Sequence, residues 1–524
     1  MWKGVKKNDR KDTGQKSRSQ YLSEIEVDNK HDVFLKSSLA SNMKMIKKYI
    51  GKDSDVVYRT LKLLDGEQSL AIFYIDNLAC NDTIQQHIIR PILKEFGRAK
   101  GVLSSSVKID KIKDSVITVR CVSVTDKLNE CIYEVFKGNT ILILDGSKEA
   151  LVITTPGWKT RNQEEPLSEP SIRGPRDSFV ETLQENIVRV RRRIRDANLT
   201  VERYRIGRRT NTDVAIMYLK GVANQDIIDE LHRRISRIDI DSIMAAGYID
   251  QFIEDNILTV FPQIQHSERP DKTASAILEG RIAILVDNTP FVLIVPTVFS
   301  MFIQAPDEYY DRWIYSSFIR CIRYMAILIS LFLPAFYVSL ISFHQGMIPT
   351  KLVIFAAATR EGIPFPALIE ALIMEVTLEI LREAGVRLPK SIGQAVGIVG
   401  GLVIGEAAAK AGIVSPVMII IVALTAVSSF SIPQYIIGIS MRILRFMIIL
   451  AAGLFGLYGV MLSFLMISAN LAKLKSFGID YMSPLAPLRL DDMKDFLFRL
   501  PMTAMKKRPK TLKTHDDVRQ RNDA

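Results

Sequence analysis

The chain has 524 residues, 48% of them hydrophobic and 24% charged, with a formal net charge of +12; this balance excludes disordered, collagen-like and coiled-coil classes. Long apolar runs at 324–343, 391–431 and 446–469 exclude a purely soluble enzyme, and the polar first 280 residues exclude a chain made only of membrane spans. Nine units of the net charge of +12 sit in the first 19 residues (seven Lys/Arg, two Asp) and in 501–524 (seven Lys/Arg, three Asp), so the folded part is near neutral and the tails read as disordered segments that mark a cytoplasmic face and meet anionic lipid, with no nucleic-acid motif.

In chain order, residues 1–34 are polar, and MWKGVKKNDRKD lacks the apolar core of a signal peptide. Leu39, Met43, Ile46 and Ile50 repeat at helical spacing. Strands are predicted over 56–64, 70–75 and 116–124, and helices over 83–96, interrupted near Pro91, and 126–136. Residues 138–155, with Asp145-Gly146 between two apolar runs, predict a hairpin.

An internal repeat organises this half. AIFYIDNLA (71–79) is echoed by AIMYLKGVA (215–223), and GNTILILDGSKEALVITT (138–155) by GRIAILVDNTPFVLIVPT (280–297), at offsets of 144 and 142 residues. Each first match is followed by a helix, predicted over 225–238 in the second copy. Two tandem α/β domains of similar topology are expected, at 35–160 and 198–304, joined by 161–197, a linker and a basic helix. That linker holds EPSIRGPRDSF (169–179) and five arginines between 189 and 195, which read either as a solvated helix face or as a contact to lipid or a neighbouring subunit. By hydropathy 282–304 resembles a span, but its counterpart is a soluble hairpin, so 281–296 is read as the closing hairpin of the second domain.

Residues 305–475 read as a helical membrane domain and 476–524 as a basic cytoplasmic tail. An amphipathic lead-in over 307–323 carries Arg312, Arg320 and Arg323 to a first span at 324–343; further spans are expected at 393–411, 413–431 and 446–469. Four crossings leave 344–392 outside or re-entrant, which strains the positive-inside rule at Arg360, Arg382 and Arg387, as do Arg442 and Arg445. In 391–410, Gly393, Gly397, Gly401 and Gly405 recur every four residues, which lines one helix face with no side chains. Such a ridge lets backbones approach closely in lipid. It suits tight packing within one subunit or an interface between copies around an axis. Glu406 and Lys410 end this helix and can neutralise each other at i, i+4. In 364–387, Glu375, Glu379 and Glu383 share one stripe. The stripe is either the polar face of a helix held by Glu379–Arg382 pairing or the wall of a cation-preferring path.

No phosphate loop, HExxH or GxSxG stands in a fitting context, the four cysteines form no CxxC, and the six histidines are dispersed. No enzymatic role, cofactor or metal is indicated. The fold class expected is therefore an α+β membrane protein, two tandem repeated α/β soluble domains followed by an α-helical membrane domain.

Six blocks in one order, EPSIRGPRDSFVE (169–181), FPQIQHSERPDK (261–272), SFHQGMIPT (342–350), EALIMEVTLEILREAGVRLP (370–389), GQAVGIVGGLVIGEAA (393–408) and SIPQY (431–435), resemble the A subunit of bacterial spore germinant receptors of the GerA type. The resemblance runs from about residue 35 to about 490 and leaves out the basic tails. It implies a multi-pass protein of the spore inner membrane, with its soluble domains on the core side. It implies partners: a transporter-like B subunit that recognises the nutrient, and a C subunit that is a lipoprotein. It also implies self-assembly into a nutrient-gated ion channel whose opening starts germination. On this view the GIVGGLVIG block, with Gly397, Val399, Gly401, Leu402 and Gly405 and flanked by Gly393 and Glu406, lines a pore or oligomer interface. Two other readings compete: a transporter carrying its own substrate, and a non-conducting scaffold.

Overall fold

The structure is a computed structural model that describes residues 33–50, 54–63, 68–96, 109–157, 165–166, 168–387 and 405–520. The first half holds two five-stranded antiparallel sheets. In the first, helix α1 (Leu39–Ile50) precedes β1 (Val56–Leu63) and β2 (Gln68–Ile75); β3 (Val122–Thr125), α2 (Leu128–Phe136), β4 (Thr140–Leu144) and β5 (Ala150–Ile153) follow. The strand order is β1-β2-β4-β5-β3. In the second, α3 (Leu183–Arg193) precedes β6 (Leu199–Ile206) and β7 (Thr212–Leu219); α4 (Gln225–Ile235), α5 (Ala246–Ile253), β8 (Gln265–Ser267), α6 (Pro270–Leu278), β9 (Ile282–Val286) and β10 (Val292–Val295) follow. Its order, β6-β7-β9-β10-β8, matches the first strand for strand. The register agrees as well: Ile72 faces Leu142 as Ile216 faces Ile284, and Thr140 faces Ile153 as Ile282 faces Val295.

Side chains alternate across a strand, and both faces of each sheet are covered. Leu142 and Leu144 join one core while Ile141 and Ile143 join another; in the second sheet Ile282, Ile284 and Val286 lie on one face and Ala283 and Leu285 on the other. Strands buried on both sides need continuous apolar runs. That need explains why 281–296 imitates a span in hydropathy yet forms the β9–β10 hairpin.

Three local expectations are corrected. Of 116–124 only residues 122–124 are strand, within β3 (Val122–Thr125), because β3 is an edge that pairs with β5 alone. Pro91 does not interrupt its helix. The stretch Gln85–Ile89 widens to π geometry just before it, which accommodates the missing N–H. The arginine-rich α3 is not a solvated face. Ile187 and Val190 enter the second core, Val188 enters the first, and Arg191 is wholly buried, with Nε and Nη2 each 2.8 Å from the Asp55 carboxylate. Arg191 thus bolts the two α/β units together, beside the Ser54 N–H and hydroxyl, which both donate to the Val201 carbonyl. Asp55→Leu strands a buried guanidinium, and a loss of about 3–5 kcal/mol in unfolding free energy is expected in chemical denaturation of the full chain; a loss below 1 kcal/mol would show that the bolt is solvated.

The second half is helical. Helix α7 (Trp313–Ser342) joins the expected lead-in from 313 onward to the first span, while Pro306–Tyr309 forms a separate 3-10 turn before it. Thr350–Ala358, α8 (Ala367–Arg387), α9 (Pro416–Phe430) and α10 (Tyr435–Lys473) follow. Trp313–Ser342 and Tyr435–Lys473 are long and apolar enough to cross a membrane. The expected span at 446–469 is not one straight helix. Gly456 has φ 61°, ψ −144°, and the chain doubles back there, so that Gly459 abuts the Ala451 carbonyl. Only a residue without Cβ takes that conformation freely, and a Cβ on Gly456 would also collide with His344 and Phe343.

This turn fixes directions. It marks the end of the bundle remote from the sheets, since α7 finishes there at Phe343 and His344. Leu368, in the first turn of α8, packs on Gly453, while Glu379, three turns on, meets Arg442 near the other end. Helix α8 therefore runs the length of 435–455 in the opposite sense. Its cause is the run of long-range ion pairs described next.

The segment 476–520 is not a disordered basic tail either. β11 (Lys475–Ser476) pairs with β12 (Ile479–Asp480), Tyr481 and Leu512 are fully buried, and the Arg508 Nε donates to the Leu278 carbonyl at 2.8 Å. Its lysines and arginines are spread around apolar anchors that pack against the second α/β unit.

Candidate functional site

Polar side chains from distant segments converge in three groups, two where the second α/β unit meets the helices and one inside the helical bundle. The first centres on Glu169, which the sequence places in a linker but which is buried. Its carboxylate accepts hydrogen bonds from Ser267 Oγ (2.5 Å) and Gln434 Nε2 (2.5 Å) and pairs with Lys272 Nζ (2.6 Å). Beside it the buried Arg269 clasps Asp271 at 3.1 and 2.8 Å, and donates to the Glu169 and Pro175 carbonyls. Burial pushes the Asp271 carboxyl up, but the hydrogen bonds from Arg269 and Tyr310 outweigh it and hold the group below its ordinary value. Gln434 opens α10, so this hub ties the long helix to the second sheet unit.

The second group sits at the foot of α7. Glu308 is buried with both carboxylate oxygens committed, Oε2 to Arg320 and Oε1 to Arg323. Arg320 also reaches Asp495 Oδ1 at 2.9 Å and the Asp495 carbonyl at 2.8 Å. Arg499, itself buried, donates to the carbonyls of Glu308 and Asp311. Of the three arginines expected to mark a cytoplasmic flank, Arg320 and Arg323 are thus internal couplers between α7, the loop before it and the C-terminal segment, while Arg312 is exposed.

The third group runs inside the bundle. Glu370, fully buried, pairs with Arg360 at 2.9 Å and accepts the Ser415 N–H at 2.9 Å. Glu375, 3% exposed, pairs with Arg445 at 3.1 Å. Glu379 meets Arg442 at 2.6 Å and Arg382 at 3.1 Å. Glu375 and Glu379, four residues apart, share one side of α8, whereas Glu370 stands on the opposite side from Glu379. Arg442 and Arg445 stand three apart on α10 and meet the first two; Arg360 comes from the segment before α8. Low surroundings in dielectric make each pair strong and each lone member costly.

Of the residues singled out in the sequence, Glu375 and Glu379 therefore stand in this seam, while Glu383 is exposed and pairs with Arg387 in its own helix. Gly393, Gly397, Val399, Gly401 and Leu402 lie outside the described residues. Gly405 is buried, and a Cβ there would rest 3.7 Å from Ile419 of α9. Glu406 and Lys410 pair with each other at 2.7 Å, both largely exposed. Sequence reasoning missed Glu169, Gln434, Glu308 and Asp495 as site residues. A signal existed for the first two: three of the six quoted blocks, 169–181, 261–272 and 431–435, supply the Glu169 hub.

Comparison with known proteins bears on these blocks. Residues 44–511 match the family described as Bacillus/Clostridium GerA spore germination protein. The chain is 46% identical over 494 residues to spore germination protein KA of Bacillus subtilis (strain 168), covering 94% of this chain and 90% of that one. It is 41% identical over 489 residues to the uncharacterized membrane protein YfkQ of the same organism, covering 93% of each. Among solved structures, the N-terminal domain of the A subunit of the Bacillus megaterium spore germinant receptor GerK3 aligns with 35% identity and a TM-score of 0.41, over 52% of this chain and 99% of that one. With a family match over residues 44–511 and relatives alike over more than nine-tenths of the chain, the chain belongs to the GerA family of spore germination proteins.

Proposed function

We propose that the chain is a germinant receptor A subunit that self-assembles in the spore inner membrane into a nutrient-gated ion channel, alongside a transporter-like B subunit and a lipoprotein C subunit. The observation that carries this reading is the inverted polarity of the helical half. Charged pairs lie inside, Glu370, Glu375, Arg445, while Leu454, Tyr458, Met461 and Leu465 are each at least 60% exposed on the outside. A patch of that kind needs lipid or other protein to cover it.

On this reading the two sheets of equal strand order are a tandem repeat, residues 35–160 and 198–304, placed on the cytoplasmic or core side by the basic termini. The helices from 313 on are the membrane domain. Helix α7 leaves the sheets, α8 and α9 return, and α10 leaves and returns around Gly456. Because α8 runs towards the sheets and Ser415 sits beside Glu370 at the far end, the crossing expected from the sequence at 393–411 completes the count. That makes six passes rather than four and keeps both termini on one side. The ridge Gly393, Gly397, Gly401 and Gly405 lies on the pass that meets other copies. The seam glutamates are held by arginines, which favours the ridge over the Glu375, Glu379, Glu383 stripe as the conduit wall.

Gly401→Leu adds a branched side chain to that ridge. Chemical cross-linking and native mass of the chain in detergent are expected to show higher oligomers for the wild type and monomers for the variant, with membrane insertion unchanged. Equal oligomers from both would remove the ridge from the interface.

A further inference from the structure

The loop between α5 and β8 turns apolar side chains outward. Ile257 is 78% exposed and Leu258 95%. A single exposed apolar residue is ordinary, but Tyr248 and Phe252, one turn apart on α5, are exposed as well, so the exposure runs from the helix into the loop.

Buried polar groups hold this loop in shape. The Gln263 amide, 1% exposed, spans it: Oε1 accepts the Asn256 N–H at 3.1 Å and Nε2 donates to the Asn256 carbonyl at 2.7 Å. Asn256 Oδ1 accepts the Leu258 N–H at 3.0 Å. Asp255, the carboxylate next to the tip, is tied to Arg234 at 2.6 Å and to the Phe477 N–H at 2.6 Å. The backbone is thus fixed while the two apolar side chains stay uncovered, and covering them costs little further ordering.

The far end of the loop enters the helical bundle. Phe261 lies in the core that α7 and α10 share, and the Val260 carbonyl accepts the Ser440 hydroxyl of α10. Ser440 stands five residues into α10, about 8 Å along it. The limb 435–455 is about 30 Å long, the thickness of a hydrocarbon layer. Leu258 is two residues from Val260, within about 7 Å of it. The tip therefore lies level with the first turns of α10, which expose Tyr435, Ile439 and Ile443. A second copy of the chain would need about 800 Å² on each partner for a stable interface, far more than a two-residue tip offers. Insertion into lipid needs only the tip, at a depth of about 5–10 Å.

We propose that Ile257 and Leu258 insert at the boundary between lipid headgroups and acyl chains and anchor the second α/β unit to the bilayer surface beside α10. The inference rests on the reading of the helices as a membrane domain.

The test is photo-cross-linking of the full chain in dioleoylphosphatidylcholine vesicles. p-Benzoylphenylalanine replaces Leu258, Met461 on the outside of the helices, or Tyr133, exposed on α2 of the first α/β unit. Lipid adducts, read by mass, are expected at 258 and 461, each about tenfold above the yield at 133. The same probe at Ile257 gives a second reading should the Leu258 variant not fold. Lipid adducts at 461 with none above the 133 level at 257 and 258, or adducts there to a second copy of the chain, overturn the anchor and leave the membrane reading standing. Absence of lipid adducts at 461 as well as at 257 and 258 overturns both.

Discussion

Arg445→Met is expected to destabilise the chain by about 3–5 kcal/mol, the largest effect among substitutions in the helical half, because it leaves Glu375 charged and buried with its partner gone. Both side chains are almost wholly enclosed, so water cannot replace the lost guanidinium. The converse change, Glu375→Leu, strands Arg445 and should cost a similar amount. Removing both charges together, Arg445→Met with Glu375→Leu, removes the desolvation burden as well as the attraction, and the double variant should recover most of the loss. Denaturant titration of the chain in detergent reads all three. Additive losses in the double variant would mean that the two residues are stabilised by separate surroundings and not by each other.

The second large effect is expected at Glu308. One carboxylate there serves two buried arginines, Arg320 and Arg323. Glu308→Leu leaves Arg323 without its carboxylate and Arg320 with Asp495 alone, and the backbone carbonyl that receives Arg499 shifts with it. A loss of about 3–5 kcal/mol is expected, together with release of the C-terminal segment. Trypsin then cuts between 476 and 520 in the variant at concentrations that leave the wild type intact. Glu308→Asp restores the charge on a shorter stem and should recover part of the protection. Equal protease resistance in all three chains would show that the segment is held by apolar anchors such as Tyr481 and Leu512, without help from the clamp.

What the sequence discloses and what it conceals divide along the range of the interaction. The sheet units were legible because their signals are local: Asp145-Gly146 turns a hairpin, and the echo of 138–155 in 280–297 separates a doubly buried strand pair from a span. The pairing of Glu375 with Arg445 has no local sign. Seventy residues part them, and each alone reads as a charge out of place in an apolar run. The same distance hid the clamp, since Arg320 and Arg323 satisfy the positive-inside rule as flanking charges and nothing nearby names Glu308 or Asp495 as partners. Gly456 was concealed for another reason. A glycine in an apolar helix ordinarily signals close packing, and its left-handed turn becomes visible only with His344 and Phe343 beside it. The basic stretch 501–520 misled through its charge count, which outweighed the few apolar residues that anchor it.

Two of these groups join the sheet-bearing half to the helical one. The Glu169 hub reaches α10 through Gln434, and the Glu308 clamp reaches α7 through Arg320, so both long helices are held at the same end by ionised, buried contacts.

Conductance of the purified chain in planar bilayers tests the central claim most directly. The wild type alone is expected to give discrete ionic current steps, and Gly401→Leu, inserted to the same extent, none. A bilayer that stays silent with inserted wild-type oligomers, or current steps that persist unchanged in the Gly401 variant, would contradict it.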